Sequence, residues 1–183
     1  MKYEREIAAR EEKIARLLSS VPLPVEGLTP EERDERFMRA ALVLARAAAE
    51  EGEVPVGCVI TRGCEIVSAD YNGREALRSA LWHAEAAAVA KACERLGGWR
   101  LPDTTLYVTL EPCPMCAGAI WNARIPRVVV GTKDARAGAF GSVLNLNSYP
   151  LNYRSEVTFG VCADESRALL GAFFRARRNR TEN

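Results

Sequence analysis

The chain has 183 residues, 48% of them hydrophobic and 27% charged, which suits one globular domain with a buried core and a small appendage and excludes disordered or collagen-like architectures. A net charge of +1 gives no global positive field, so any nucleic-acid binding must rest on a local patch. Lys2, Glu4, Arg5, Glu6, Arg10, Glu11, Glu12, Lys13 and Arg16 leave no apolar signal-peptide core or membrane span at the start, and a cytoplasmic location is expected.

Residues 1–18 read as a helix with Ile7, Ile14, Leu17 and Leu18 near one face and charges over the rest. Ser19 to Leu28, with Pro22, Pro24 and Gly27, reads as a linker. Residues 1–28 are therefore expected to be a helical extension packed on the domain or on a partner, ahead of a domain over 29–183. Thr29, Pro30 and Glu32 make a capping box with proline in the first turn, and predict a helix from Pro30 to about Glu51 with Phe37, Ala41, Leu44 and Ala45 as its core stripe.

Val54, Val56, Cys58 and Ile60 alternate with Pro55, Gly57 and Val59, which predicts a strand, a hairpin turn at Arg62-Gly63 and a second strand ending near Tyr71. A helix follows from His83 to Leu96. Next come a strand at Thr105–Leu110, a helix opening around Pro114, a strand at Arg127–Gly131 and a long Asn- and Gly-containing loop over 132–153 with one helical turn. A short strand at Glu156–Phe159 and a helix from Asp164 to about Arg178 close the chain. Strands alternating with helices after a hairpin predict an α/β fold: a three-layer α/β/α arrangement around one central mixed sheet of about five strands.

Six cysteines in a chain expected to be cytoplasmic point to thiols or a metal site rather than disulfides. The single histidine, His83, is followed two residues later by Glu85, and further along by Cys113 and Cys116 at CxxC spacing. A lone histidine is usually a packing or surface residue; beside two such cysteines and a carboxylate it reads as a ligand. His83, Cys113 and Cys116 supply three donors, and no fourth Cys or His follows at metal-binding spacing. Structural zinc takes four protein ligands, whereas three leave a position open for water, so one catalytic Zn2+ per chain is expected. His83 opens one helix and the cysteines another, so two positive helix ends would favour the thiolates. Glu85 is placed to move a proton without binding the metal. Cys64, Cys93 and Cys162 read as small packing residues, as does Cys58 in its strand, and Trp82 reads equally as a core residue or a base-stacking one.

The H-x-E and P-C-x-x-C pattern is identified as the signature of the zinc-dependent cytidine/deoxycytidylate deaminase superfamily. Within it, Glu53-Val54-Pro55-Val56-Gly57, Asn72, the run Thr105 to Cys113, Cys116 to Ile120, Gly138 to Ser142, Ala163-Asp164-Glu165 and Phe173-Phe174-Arg175 resemble the bacterial tRNA-specific adenosine deaminases, from near Phe37 to Arg178. The resemblance implies a cytidine deaminase-like fold, hydrolysis of adenine at C6 to give inosine, and Glu85 carrying a proton to N1 and then to the leaving ammonia. It implies purine contacts from Asn72, the Ala84 backbone and Val56. Asp134, Lys133 and the Gly138 to Ser142 segment would meet flanking nucleotides. It also implies a homodimer and an anticodon stem-loop of tRNA, read at the wobble position, as partner.

Arg175, Arg177, Arg178 and Arg180 would neutralise phosphates, or simply form a solvated helix end. Three departures from the family pattern bear on the RNA: Ser79-Ala80-Leu81-Trp82 replaces Asp-Pro-Thr-Ala, Gly73 replaces a basic or polar residue, and Tyr153 replaces a histidine. Because the resemblance starts after residue 28, deamination is expected to survive loss of the extension. Two rival readings are a deaminase of free guanine or cytosine, which would share the metal site, and a non-catalytic zinc module binding RNA or protein, which would have no use for Glu85.

Overall fold

The computed structural model describes residues 2–22 and 26–181; Pro24 of the expected linker lies outside them. Helices α1 (Lys2–Ser19) and α2 (Pro30–Glu50) precede the hairpin β1 (Gly57–Arg62) and β2 (Glu65–Tyr71). Then follow α3 (Ala84–Leu96), β3 (Thr104–Leu110), α4 (Pro114–Asn122), β4 (Arg127–Thr132), a 3-10 turn at Leu146–Ser148, β5 (Glu156–Phe159) and α5 (Ala163–Thr181). The sheet order is β2-β1-β3-β4-β5. β1 runs antiparallel to both β2 and β3, and β3, β4 and β5 are mutually parallel. The fold is thus the expected mixed five-stranded α/β class.

Alternation along the strands builds a core on each face of the sheet. Cys58, Ile60, Leu106, Val108, Val128 and Val130 point toward α3 and α4. Val59, Tyr107 and Val129 meet Phe37, Met38, Ala41 and Leu44 of α2 on the other. The central strands β1, β3 and β4 are covered on both faces, which accounts for their near-continuous apolar runs. The capping box at the start of α2 forms in both directions: Glu32 N donates to Thr29 Oγ1 and Thr29 N to the Glu32 carboxylate.

Two boundaries differ from the sequence reading. The alternating run at Val54–Val56 is not part of β1, because Glu53 folds back on α2 through its N–H to Ala48 O, and Val56 N bonds Val54 O at 2.8 Å. The hairpin turns at Gly63-Cys64 rather than Arg62-Gly63, and a register shift between Ile60 and Thr61 accompanies it. This puts Cys64 in solvent, so it is not a packing residue, whereas Cys58 is fully buried as expected.

Helix α1 packs on the domain, with Ile14 buried beside α2. Its polar face is not all solvated, for Arg10 is as buried as a core residue.

A second buried charge sits far along the sheet. Asp34 of α2 accepts from the Tyr107 hydroxyl at 3.0 Å and from both terminal nitrogens of Arg127 at 2.7 and 2.6 Å. This bidentate pair ties α2 across β3 to the first residue of β4. Replacing Asp34 with Ala strands a half-buried guanidinium and a buried phenol, and is expected to cost about 3 kcal/mol of unfolding free energy, read as a lower urea midpoint at unchanged m-value.

Candidate active site

Because β1 lies antiparallel between β2 and β3, the C-terminal ends of β2, β3 and β4 and the N-terminal end of β1 share one edge of the sheet. Val56 precedes β1, Asn72 follows β2, Cys113 follows β3 and Asp134 follows β4. α3 and α4 both begin at that edge, with His83 and Cys113 as their N-cap residues. Neither side chain caps its helix, so both are left available as donors, while the two helix N-termini place partial positive charge around them.

His83 Nδ1 lies 3.7 Å from Cys113 Sγ and 3.6 Å from Cys116 Sγ, and the three ligand atoms all fall within 4.8 Å of one another. For a tetrahedral zinc with ordinary Zn–N and Zn–S bonds, the N···S edge is about 3.5 Å. The donors therefore stand where zinc needs them. Their chemistry agrees: the hydrogen bond from Cys116 lowers the Cys113 thiol to about 4, in keeping with the thiolate that a metal takes. The same bond, followed by burial, pushes Cys116 well above the ordinary thiol range, and the bond to Cys113 raises His83. The two sulfurs thus oppose one another's ionisation, and a divalent cation would relieve that competition.

Glu85 lies in the first turn of α3 at 4% exposure. Burial, opposed by its own backbone N–H, raises its carboxyl to about 7. Ala84 is fully buried and Val56 and Asn72 are nearly so. Asp134 is only half-buried, and its groups serve its own turn: Oδ1 accepts from Arg136 N at 2.9 Å and its carbonyl from Gly138 N at 2.9 Å. Lys133 is exposed, near the Phe159 ring. Arg175, Arg177 and Arg178 are exposed along α5, while the Arg180 side chain lies outside the described set.

Two carboxylates without an assigned role in the sequence reading prove to organise this edge. Glu53, 1% exposed, accepts from Asn72 Nδ2 at 3.2 Å and from the N–H groups of Glu75 and Ala76 at 2.8 and 2.9 Å. Glu111, immediately before the metal-binding run, accepts from the N–H groups of Asp134, Phe140 and Ser142 at 3.0 to 3.1 Å and from the Ser142 hydroxyl. Burial would raise the Glu111 carboxyl, but these bonds together hold it below the usual range. Gly138 is needed there, since a Cβ would collide with the Glu111 carboxylate and stand 2.6 Å from Asp134 O. A charge at a strand end beside a ligand motif was the one available sequence signal for Glu111. Its partners lie too far along the chain to be read.

Three donors at helix ends, with no fourth ligand residue grouped with them among the described residues, and a buried carboxyl define the class of metal-dependent hydrolytic sites. Residues 31–132 match the cytidine and deoxycytidylate deaminase zinc-binding region, and the chain belongs to that family. It is 43% identical over 149 residues to a tRNA-specific adenosine deaminase of Bacillus subtilis, covering 81% of this chain and 92% of that one. A solved structure from work on A-to-I editing by tRNA:A34 deaminases at the wobble position of transfer RNA is similar at a TM-score of 0.72 and 42% identity, over 73% of this chain and 98% of that one. A guanine deaminase from Nitrosomonas europaea shares the fold at a TM-score of 0.64, with 22% identity over 84% of this chain and 94% of that one.

The purified protein is expected to carry about one zinc per chain, the stoichiometry of a three-ligand catalytic site. Cys113→Ala and Cys116→Ala each leave two protein ligands and should abolish retention of zinc through gel filtration and lower thermal stability. Metal analysis alongside a melting curve reads both; retention of zinc by either variant contradicts the assignment.

Proposed function

We propose that this chain catalyses the hydrolytic deamination of adenosine to inosine in tRNA, at the wobble position of an anticodon stem-loop. The observation that carries this reading is the similarity over most of its length to a tRNA-specific adenosine deaminase. Residues 29–183 form the deaminase domain and residues 1–28 a helical extension resting on it. His83, Cys113 and Cys116 hold the zinc, which when bound supplies Lewis-acid activation of water.

Glu85 takes one proton from the attacking water and delivers it to purine N1, and then carries the second proton, from the oxygen now bonded to C6, to the departing amino group. The C6–O bond forms, the C6–N bond breaks and ammonia leaves. A carboxyl raised to about 7 suits both halves of that exchange. Asn72 and the Ala84 N–H hold the purine and Val56 packs on it. Glu53 sets the Asn72 amide, and helix α3 leaves the N–H of Ala84, its first residue, outside its own ladder. Asp134 and Glu111 shape the 134–142 loop that would meet the flanking nucleotides.

The protein is proposed to be a homodimer. Val143 and Tyr149, on the loop leading from the site, expose apolar side chains available to a second copy. A cytoplasmic location is proposed with it. Among the described residues no helix is long and apolar enough to cross a membrane.

A deaminase of free guanine or cytosine is the rival with the same metal chemistry, and substrate accessibility separates the two. A base stacked in a helix cannot reach a buried carboxyl, so an adenosine in a loop should react well. The same adenosine in a duplex should react roughly two orders of magnitude more slowly, the cost of unpairing and unstacking. Comparing kcat/KM for loop RNA, duplex RNA, free guanine and free cytosine tests the reading, and a preference for a free base overturns it. Glu85→Gln is expected to keep zinc and RNA binding while losing about two to four orders of magnitude in turnover, measured as inosine formed per enzyme in single-turnover assays. Zinc retained with normal turnover in that variant removes Glu85 from the mechanism.

A further inference from the structure

The backbone of Asn72 is held by a side chain of the N-terminal helix. Arg10, 6% exposed, donates from Nε to Asp70 Oδ1 at 2.8 Å. Its Nη2 donates to the carbonyl oxygens of Tyr71 and, at 3.1 Å, of Asn72. The guanidinium also stacks 3.5 Å from the centroid of the Tyr71 ring. β2 is an edge strand, and Tyr71 ends it. Arg10 therefore satisfies carbonyls at the point where the chain leaves the sheet and Asn72 begins the loop toward His83. From the opposite side, Asn72 N bonds Val56 O at 2.9 Å and Glu53 holds its amide.

Two of the departures from the family pattern meet at this arginine. A Cβ on Gly73 would lie 3.0 Å from Trp82 Cδ1 and 3.1 Å from the Arg10 guanidinium carbon. Gly73 N in turn donates to Trp82 O at 3.1 Å, one residue before His83. The space that a larger residue would take at position 73 is thus shared by Arg10 and Trp82. Asp70 is fully buried and is clasped a second time by Lys91 Nζ at 2.7 Å, itself paired with Glu11 of α1. Glu51 faces Arg10 Nη1 at 3.6 Å and Lys13 at 2.8 Å. Two basic groups of α1 and one of α3 are thus matched against acidic partners, so the buried guanidinium is compensated on every side.

We propose that Arg10 is a positioning residue for the deamination site: it fixes the backbone of Asn72, and hence the hold on the base, from a helix outside the similarity to the family. This rests on the reading of Asn72 as a base-binding residue. The helix is then part of the substrate site, against the expectation that residues 1–28 are dispensable. The requirement is for a planar fork that serves a carboxylate and two carbonyls at once. Lysine, a point charge, cannot reproduce that geometry.

The test uses the full-length zinc enzyme and a loop RNA. Arg10→Lys and Arg10→Met are compared with Asn72→Ala and with Asp34→Ala, a stability control at the far end of the strands beside Arg127, at a temperature where all are folded by circular dichroism and zinc-loaded by metal analysis. Arg10→Lys is expected to raise KM about tenfold, the equivalent of one misdirected hydrogen bond, with kcat within about twofold. Arg10→Met should raise KM at least as much. Asp34→Ala should lower the melting temperature with KM unchanged. Added to Asn72→Ala, Arg10→Lys should raise KM no further, the non-additivity expected if it acts through Asn72. Wild-type KM in both Arg10 variants, or a lowered melting temperature alone, overturns the proposal while a raised KM in Asn72→Ala leaves the base-binding reading standing. An unchanged KM in Asn72→Ala overturns both.

Discussion

The antiparallel placement of β1 between β2 and β3 is the constraint on which the site depends. It turns two strands that are distant in sequence to point the same way, so α3 and α4 start at one edge and present their unsatisfied N–H groups to one volume. Strands β2 and β3 point the same way, so the chain between them crosses back over the sheet through α3, and that crossover starts with His83 at the edge where Cys113 later opens α4. With the hairpin, thirty positions of chain between His83 and Cys113 become an N···S distance compatible with one metal ion. His83 and Cys113 cost little local strain as ligands, because N-cap residues already have extended backbone and their side chains already project beyond the helix end, while Cys116 joins them from the first turn of α4.

Convergence of helix ends also requires that the connecting loops be held, and the chain adds buried carboxylates to the apolar anchors Leu77, Ala139 and Phe140. Loops at a sheet edge carry backbone N–H groups that no strand can pair. Glu53 collects those of residues 75 and 76, and Glu111 those of residues 134, 140 and 142. A carboxylate accepting several N–H groups satisfies more donors than any neutral side chain could. The Arg10 contact applies the same solution with the charges reversed, a guanidinium gathering carbonyls at the end of β2.

Local signals made most of the elements readable before the structure. The capping box at Thr29, the alternation in β3 and β4, and the CxxC spacing each depend on neighbours within one turn or one strand, so the sequence displays them directly. The metal donors were readable for the same reason, together with the arithmetic of a missing fourth ligand. The errors fall where a distant partner decides the outcome. Val54 and Val56 continue the pattern of β1, yet Glu53 is drawn into loop contacts and Pro55 offers no N–H for a ladder. The hairpin slipped by one residue because alternation fixes the face of a strand and not the exact turn, and Cys64 moved into solvent with it. Arg10 looked like one charge among many on a solvated helix, since nothing within four residues of it reveals Asp70, Tyr71 or Asn72.

Four buried acidic groups thus surround one edge of the sheet, and their surroundings divide them by task. Asp70 is paired with Arg10 and Lys91; Glu53 and Glu111 are filled by backbone and side-chain donors. These bonds hold each side chain in one place, and at Glu111 they also keep the carboxyl below its usual range. Glu85 is the same residue type at comparable burial, but there desolvation prevails over its hydrogen bonds and its carboxyl rises to about 7. Glu111 and Glu85 are equal chemistry in unequal surroundings: donors lower the carboxyl that holds a loop, and burial raises the one placed to exchange protons. The division follows from where the donors run out: the backbone N–H groups of the loops are spent on Glu53 and Glu111, and Glu85, inside the first turn of a helix facing the metal donors, is left to respond to what enters the pocket.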